Sequence, residues 1–180
     1  MKKLAILGVV ALVLAISLAV AAPVMAGKHG PAGKSNIAHL YLYEKVPSGD
    51  WPIVEEGAWG KMKFNLSGPT FDFVFNGHEL EENTEYTLIY YPDKTGNPWP
   101  RTDIRCLASG SSNEDGDIHL AGSVELGSDL PMAVDINSGA KIWLVESSAV
   151  DCETNTMSGW SPTEYLFEHN LITYDDTDAP

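Results

Sequence analysis

Basic residues are scarce in this chain. It has 11 lysines and arginines against 25 aspartates and glutamates, and its formal net charge at pH 7 is −14. Proteins bind nucleic-acid phosphates and anionic lipid surfaces through clustered Lys and Arg side chains. The composition therefore argues against a nucleic-acid partner. It fits a cation, a basic partner or simple solubility.

Known catalytic motifs are also missing. The sequence has no G-x-S-x-G elbow, no H-E-x-x-H and no phosphate-binding P-loop. Its carboxylates are so numerous that a pair able to flank a glycosidic bond would arise by chance, so their presence indicates nothing. Neither catalysis nor a cofactor is predicted.

The sequence has a single long apolar run, which lies near the start of the chain. This run, residues 4–22, follows Lys2 and Lys3 and precedes a short segment that ends at Ala26. The pattern is typical of a secretory signal peptide, here residues 1–26. An uncleaved anchor is the alternative, because a spanning helix needs ~17–25 residues. Under either interpretation we expect a secreted or cell-envelope protein. If the signal peptide is removed, no membrane span is expected in the remaining chain.

One domain is expected after the signal. Residues 27–36 have little to bury and predict a flexible leader, and residues 37–180 are long enough for a domain with its own core. Nine basic residues then face 25 acidic ones, a net charge of −16. We expect salt of any kind, rather than one specific cation, to relieve the resulting repulsion.

Apolar residues repeat with a period of two and not of 3.6, which predicts an all-β domain. The predicted strands are residues 37–46, 61–66, 71–76, 86–91, 104–108, 118–124, 142–145 and 165–174. About eight strands divided by Gly, Pro, Asn and Asp clusters are typical of a sandwich or a small barrel. We expect a single antiparallel β-sandwich of immunoglobulin-like architecture. A short helix near residues 161–166 is compatible with Pro162 at a first helical position.

Turn sequences suggest how some strands are joined. Residues 67–70 predict a hairpin between the second and third strands, and Asn76 with Gly77 forms a strong turn dipeptide. The strands at 104–108 and 118–124 predict a further hairpin. True immunoglobulin domains place a Trp soon after their first Cys, whereas here Trp143 comes ~37 residues after Cys106, so only the architecture is expected.

Several segments resemble a group of exported hypothetical proteins from methanogenic archaea and environmental microbes. These segments are residues 59–62, 66–73, 75–78, 116–124 and 162–168. The resemblance spans most of residues 37–178 and carries no assigned activity. It implies export and the β fold only.

The two cysteines, Cys106 and Cys152, predict a disulfide, because paired cysteines in an exported chain are usually bonded. The bond would close a loop of about 46 residues and stabilise the fold by about 4 kcal/mol in the chain-entropy model. Two buried thiols are the alternative.

Three tryptophans within two residues of a proline are the candidate ligand-binding residues: Trp51, Trp99 and Trp160. An indole at a loop tip can stack on a sugar ring or anchor a protein partner. The alternative is that these rings fold back and plug an open end of the sandwich. Exposed, coplanar indoles would favour sugar binding, and buried ones would exclude it.

Two polar features are weaker candidates. Asn113, Asp115 and Asp117 could offer oxygens to Ca²⁺, but they lack EF-hand spacing and fit a solvated turn better, so no metal site is predicted. Asn65 begins an N-glycosylation acceptor and is expected on the solvent face of its strand.

The leading hypothesis from these patterns is a non-catalytic extracellular β-sandwich with a structural or binding role, whose partner is a glycan or a protein at the cell surface. The alternative is a carbohydrate-binding module that uses the loop tryptophans. A glycan hydrolase with unrecognised carboxylates is the third hypothesis.

Overall fold

A computed structural model describes residues 35–96 and 98–179 of the chain. The predicted signal peptide and most of the predicted leader lie outside these residues. Within them, no helix has the length and apolar character needed to span a membrane. Asn36, which the sequence assigns to the leader, exchanges hydrogen bonds with Ser67, at 2.8 Å to its carbonyl and 3.0 Å to its hydroxyl.

The regular elements of the described chain are strands and two 3₁₀ turns. The strands are β1 (Ile37–Glu44), β2 (Trp59–Asn65), β3 (Ser67–Gly68), β4 (Phe71–His78), β5 (Glu85–Tyr91), β6 (Arg101–Thr102), β7 (Arg105–Ser111), β8 (Ile118–Val124), β9 (Lys141–Glu146), β10 (Val150–Asp151), β11 (Thr156–Met157), β12 (Leu166–Glu168) and β13 (Asp175–Asp176). The 3₁₀ turns are Ser147–Ala149 and Pro162–Glu164. The second turn lies where the sequence is compatible with a short helix.

Eight strands form one antiparallel sheet in the order β7-β5-β9-β12-β1-β2-β4-β8. The sheet curls until its two edge strands, β7 and β8, contact each other. The prediction of an all-β, antiparallel, sandwich-like domain is therefore confirmed. Two small sheets, β10-β11-β6 and β13-β3, pack on this framework.

The main core lies inside the curled sheet and follows from the period-two pattern. Met62 and Phe64 on β2 and the three phenylalanines of β4 are buried there. Gly60 is required by this packing, because a Cβ on it would lie 2.2 Å from Cζ of Phe75. The aromatic side chain thus fills space that only a glycine leaves open.

A second cluster lies on the opposite face of β5, β9 and β12. Ile89, Trp143 and Phe167 belong to it, and Met157 of β11 packs over them. The small β10-β11-β6 sheet covers this cluster. Cys106 on β7 and Cys152 after β10 lie at disulfide distance, with Cα atoms 5.7 Å apart. The pair therefore ties the small sheet to an edge strand of the large one.

The predicted turns are right in one place and wrong in another. β2 and β4 form the predicted hairpin. Asn76 and Gly77 make no turn, because both lie within β4 and pair with His119 and Ile118 of β8. A Cβ on Gly77 would lie 2.9 Å from Cγ2 of Ile118, so close packing accounts for this glycine.

The strands at 104–108 and 118–124 lie beside each other, but among the described residues they do not form the hydrogen-bonded ladder of the predicted hairpin. β7 pairs with β5 and β8 pairs with β4, so these two strands lie at opposite ends of the strand order. The connection between them bonds to residues 79–84, through Leu80 N to Gly116 O at 3.0 Å and Ser112 N to Thr84 O at 3.0 Å. It turns back through a bond from Asn113 N to Asp117 O at 2.9 Å, and β7 and β8 contact each other where the sheet closes.

Candidate functional site

Three separate loops bring the predicted tryptophans together. Trp51 lies between β1 and β2, Trp99 between β5 and β6, and Trp160 between β11 and β12. The ring centroids of Trp51 and Trp160 are 6.1 Å apart, and those of Trp99 and Trp160 are 6.4 Å apart. Together they line one open cleft with a volume of about 670 Å³. We call this the tryptophan cleft.

The three indoles stay accessible to solvent but do not share a plane. Trp51, Trp99 and Trp160 are 36%, 49% and 45% exposed. The ring of Trp160 meets that of Trp51 at 65° and that of Trp99 at 77°. The rings therefore form walls that would enclose a ligand. They do not form the flat platform that coplanar rings would provide.

The floor of the cleft is the edge of the second buried cluster. Trp143 of β9 stacks on Tyr91 of β5, with centroids 3.7 Å apart and an interplanar angle of 20°. Phe167 of β12 lies edge-on to Trp143 at 5.0 Å and to Trp51 at 5.2 Å. Aromatic side chains of three neighbouring strands thus support the loop tryptophans from below.

The backbone of Trp51 has an unusual conformation. Its φ angle is 54°, in the left-handed region that a bulky residue rarely occupies and that costs about 1–2 kcal/mol. Contacts with Phe167 and Trp160 hold the residue there. Such an outlier is a reason to suspect function, because structures keep strain mainly where they use it.

Arg101 lies behind the aromatic wall on β6. Its guanidinium carbon is 4.9 Å from the ring centroid of Tyr91, and its Nε donates a hydrogen bond of 2.7 Å to the tyrosine hydroxyl. Arg101 is only 3% exposed. Burial raises the pKa of Tyr91 more than the charge of Arg101 lowers it, so the phenol keeps its proton.

Lys141 and Asp93 form an ion pair on one side of the cleft. The Lys141 Nζ lies 2.5 Å from Oδ2 of Asp93, and Asn137 Nδ2 donates to the same oxygen at 2.9 Å. Burial alone would raise the pKa of Asp93. The bonds from Lys141 and Asn137 outweigh it, so the pKa falls below its usual value and the carboxylate stays ionised.

Glu168 lies at the floor of the cleft, where its surroundings shift its pKa in the direction opposite to that of Asp93. Nε1 of Trp143 donates a hydrogen bond of 2.5 Å to its Oε2. Burial raises the pKa of Glu168, and the charges of Lys141 and Lys45 offset this only in part. The Lys45 Nζ donates to the Glu168 backbone carbonyl at 2.7 Å. The cleft thus combines flat apolar walls with hydrogen-bond donors and acceptors. The walls can pack on the faces of a ligand ring, and the polar groups can bind its edge.

The predicted acidic turn is a closed hydrogen-bonded loop. The Asn113 side-chain oxygen accepts the N–H groups of Asp115 and Asp117 at 2.9 and 2.8 Å, and Asp117 contacts His78 at 2.7 Å. Across residues 35–96 and 98–179, no three His, Cys, Asp or Glu side chains converge on a position for a metal ion.

The expected exposure of Asn65 is wrong. The residue is buried, and its Nδ2 donates to the carbonyl oxygens of Ser67 and Thr70 at 3.2 and 2.8 Å. Its Oδ1 accepts the N–H of Asp72 at 2.8 Å. Asn65 thus organises the β2–β4 turn, and the folded domain does not present its amide nitrogen for glycosylation.

Sequence reasoning missed the floor and the charged residues of the cleft. Trp143 carries a signal in hindsight, because it alternates with Ile142 and Leu144 and must face away from the main core. Lys45 and Lys141 carry none, since they approach the tryptophans only through the order of the strands. Comparison of the chain with protein-family models, with curated proteins and with solved structures finds no match to any of them, so the geometry of the cleft is the basis for assigning a function.

Proposed function

We propose that this domain is an extracytoplasmic carbohydrate-binding module that holds a sugar in the tryptophan cleft. One observation carries the proposal: indoles from three unconnected loops converge on one cleft and keep 36–49% of their surface exposed. More than a third of each indole is therefore uncovered in the free protein and available to a ligand. The indoles are suited to covering a ligand with apolar faces.

A sugar ring matches the chemistry of the cleft. Its C–H faces can pack on indoles, and its hydroxyls need donors and acceptors at the ring edge. Asp93, Lys141 and Glu168 supply such groups beside the aromatic walls. The cleft volume of about 670 Å³ falls within the range of ~300–1,000 Å³ for small-ligand sites. The steep ring angles favour a sugar inserted between walls over a chain lying on a flat surface.

Binding without catalysis is preferred to glycan hydrolysis. Asp93 and Glu168 line one cleft and have oppositely shifted pKa values, a pattern that acid and base pairs share. However, Lys141 and Asn137 both bond the Oδ2 of Asp93. A carboxylate neutralised in this way is a poor nucleophile or base, so we favour a binding role.

The proposal is tested by comparing two tryptophan variants. Trp160→Ala removes a wall, whereas Trp59→Ala removes a partly exposed indole whose ring packs against His78 outside the cleft. We expect polysaccharide binding, measured by affinity electrophoresis and by quenching of tryptophan fluorescence, to weaken about tenfold in Trp160→Ala. Trp59→Ala should bind like the parent protein.

Two results would overturn the proposal. One is equal weakening in both variants. The other is no retardation by any neutral or acidic polysaccharide in a broad panel, with thermal melts that show the protein to be folded. Release of reducing ends during the same incubations would favour hydrolysis over binding alone.

A further inference from the structure

The tryptophan cleft reverses the charge balance of the domain. Residues 35–179 include seven lysines and arginines against 25 acidic residues. Lys45, Arg101 and Lys141 line the cleft, which is three of the seven, whereas Asp93 and Glu168 are only two of the 25. Hydrogen bonding to a neutral ligand does not require cations, so this concentration of basic groups indicates a negative charge on the ligand.

Lys45 provides the clearest case. Its ammonium group donates to a neutral acceptor, the backbone carbonyl of Glu168, at 2.7 Å. The ion pairs of the described chain are His78–Asp117, Lys94–Asp103 and Lys141–Asp93, and Lys45 is in none of them. An ammonium group has three donors. Lys45 therefore brings charge and hydrogen-bonding capacity into the cleft without a direct ion pair, and the carboxyl group that its charge influences is that of Glu168.

The other charged groups support the same conclusion. Lys141 balances Asp93, and Arg101 presents a planar cation behind Tyr91. Glu168 opposes an anionic ligand less than an ordinary carboxylate would, because burial raises its pKa and favours its neutral form. The lining thus has three basic groups against two carboxyl groups, and Asp93 is already paired with Lys141.

We propose that the ligand is an acidic sugar, a uronate whose ring packs between the indoles while its carboxylate binds Lys45. This inference rests on the proposed carbohydrate-binding function and names the class of sugar. Aromatic cages also bind quaternary ammonium ions. Lys45 and the nearby charge of Arg101 disfavour such a cation, and Lys45 is placed to attract a carboxylate.

The experiment compares acidic and neutral oligosaccharides of identical linkage. Trimers of galacturonate, mannuronate and guluronate, and the same trimers after reduction of the carboxyl groups, are titrated calorimetrically at pH 7 and constant ionic strength. Choline is the cationic probe. We expect at least one uronate trimer to bind about tenfold more tightly than its reduced form, the order expected for one charge-assisted contact.

Variants of two lysines assign the charge effect to the cleft. Lys45→Met should lower the affinity for the uronate about tenfold and leave the affinity for the reduced trimer unchanged. Lys45→Arg should restore the preference. Lys63→Met, on the exposed face of β2 outside the cleft, is the matched control and should have no effect.

The outcomes separate this inference from the proposed function. Equal or tighter binding of the reduced trimers would overturn the acidic ligand and leave a neutral carbohydrate-binding module. Tight binding of choline, or no binding of any trimer by folded protein, would overturn both proposals. A preference for uronates that survives in Lys45→Met would overturn the assignment to Lys45 and show that another group binds the carboxylate.

Discussion

The ionisation of Glu168 affects the stability of the domain in a predictable direction. Burial raises its pKa in the folded state above the usual value of 4.5 for a glutamate. The folded protein then holds this proton more tightly than the unfolded chain. By linkage, the stability contributed by Glu168 is greatest below the unfolded pKa and declines as the pH rises through the folded pKa. At neutral pH the buried carboxylate is therefore destabilising.

Glu168→Gln should remove the destabilisation caused by the buried negative charge and keep an oxygen acceptor for the Trp143 indole N–H. We expect the melting temperature to exceed that of the parent protein by a few degrees at pH 8 and to match it near pH 4. Glu153→Gln, at an exposed position, controls for the loss of one negative charge from an acidic surface. A difference of the same size at both pH values, or an equal rise in the control, would contradict the assigned role of burial.

The site could be predicted at the level of single residues only where the local sequence is unusual. Three tryptophans stand out because each lies within two residues of a proline in a loop, and the structure brings all three together: Trp51, Trp99 and Trp160. Lys45 and Lys141 are ordinary strand-end lysines. They acquire a role because β9, β12 and β1 are neighbours, a fact that no short segment of the sequence encodes.

The small β10-β11-β6 sheet depends on its covalent connection. Its three strands have two residues each, too few to be stable alone, yet they cover the second cluster and carry Arg101. Cys152 next to β10 is linked to Cys106 on β7 across a sequence separation of 46. A crosslink of this length stabilises by about 4 kcal/mol in the chain-entropy model, and measured values are often smaller.

Replacing both cysteines by alanine should lower the free energy of unfolding by about 2–4 kcal/mol. We expect ligand affinity to fall as well, because the cover over Trp143 and Tyr91 loosens. Denaturant titrations measure the first effect, and calorimetry below the unfolding transition measures the second. Reduction of the parent protein with dithiothreitol should reproduce both changes. An unaltered denaturation midpoint would show that the cover is held by packing alone.

Strands were easier to predict than their partners. Period-two alternation is visible within a few residues, so β2, β4, β5 and β8 appear close to their true bounds. Pairing depends on residues far apart in the chain. Proximity in sequence predicts a ladder between β7 and β8, but these strands meet through close packing instead. A Cβ on Gly110 of β7 would lie 2.8 Å from Cδ2 of Leu120 on β8. The core contacts, and not the loop, decide which strand lies beside which.

The charge of the whole domain should govern its response to ions. With 25 acidic residues on one compact unit, mutual repulsion weakens the folded state. The oxygen of Asn113 that could have ligated a cation already accepts two backbone N–H groups. Screening by ionic strength is therefore expected to dominate over binding at a specific site.

Melting temperatures in NaCl, MgCl₂ and CaCl₂ at matched ionic strength should rise together. Screening is nearly indifferent to the identity of the ion, whereas a site saturates and distinguishes Ca²⁺ from Mg²⁺ by coordination number. A rise of several degrees with millimolar Ca²⁺ alone, abolished by substituting Asp115 and Asp117 with Asn, would overturn this expectation and establish a calcium site.

Both ends of the described domain meet at the Ser67–Gly68 strand. Asn36 bonds to Ser67 at the start of β1, and β13 pairs with β3 near the other end. Lys45, by contrast, reaches the tryptophan cleft just beyond the far end of β1. Eight residues of extended strand separate the two places, a span of roughly 25 Å. A linker, purification tag or solid support joined at either end would therefore leave the cleft facing outward, so the domain can be immobilised by its termini without masking its binding face.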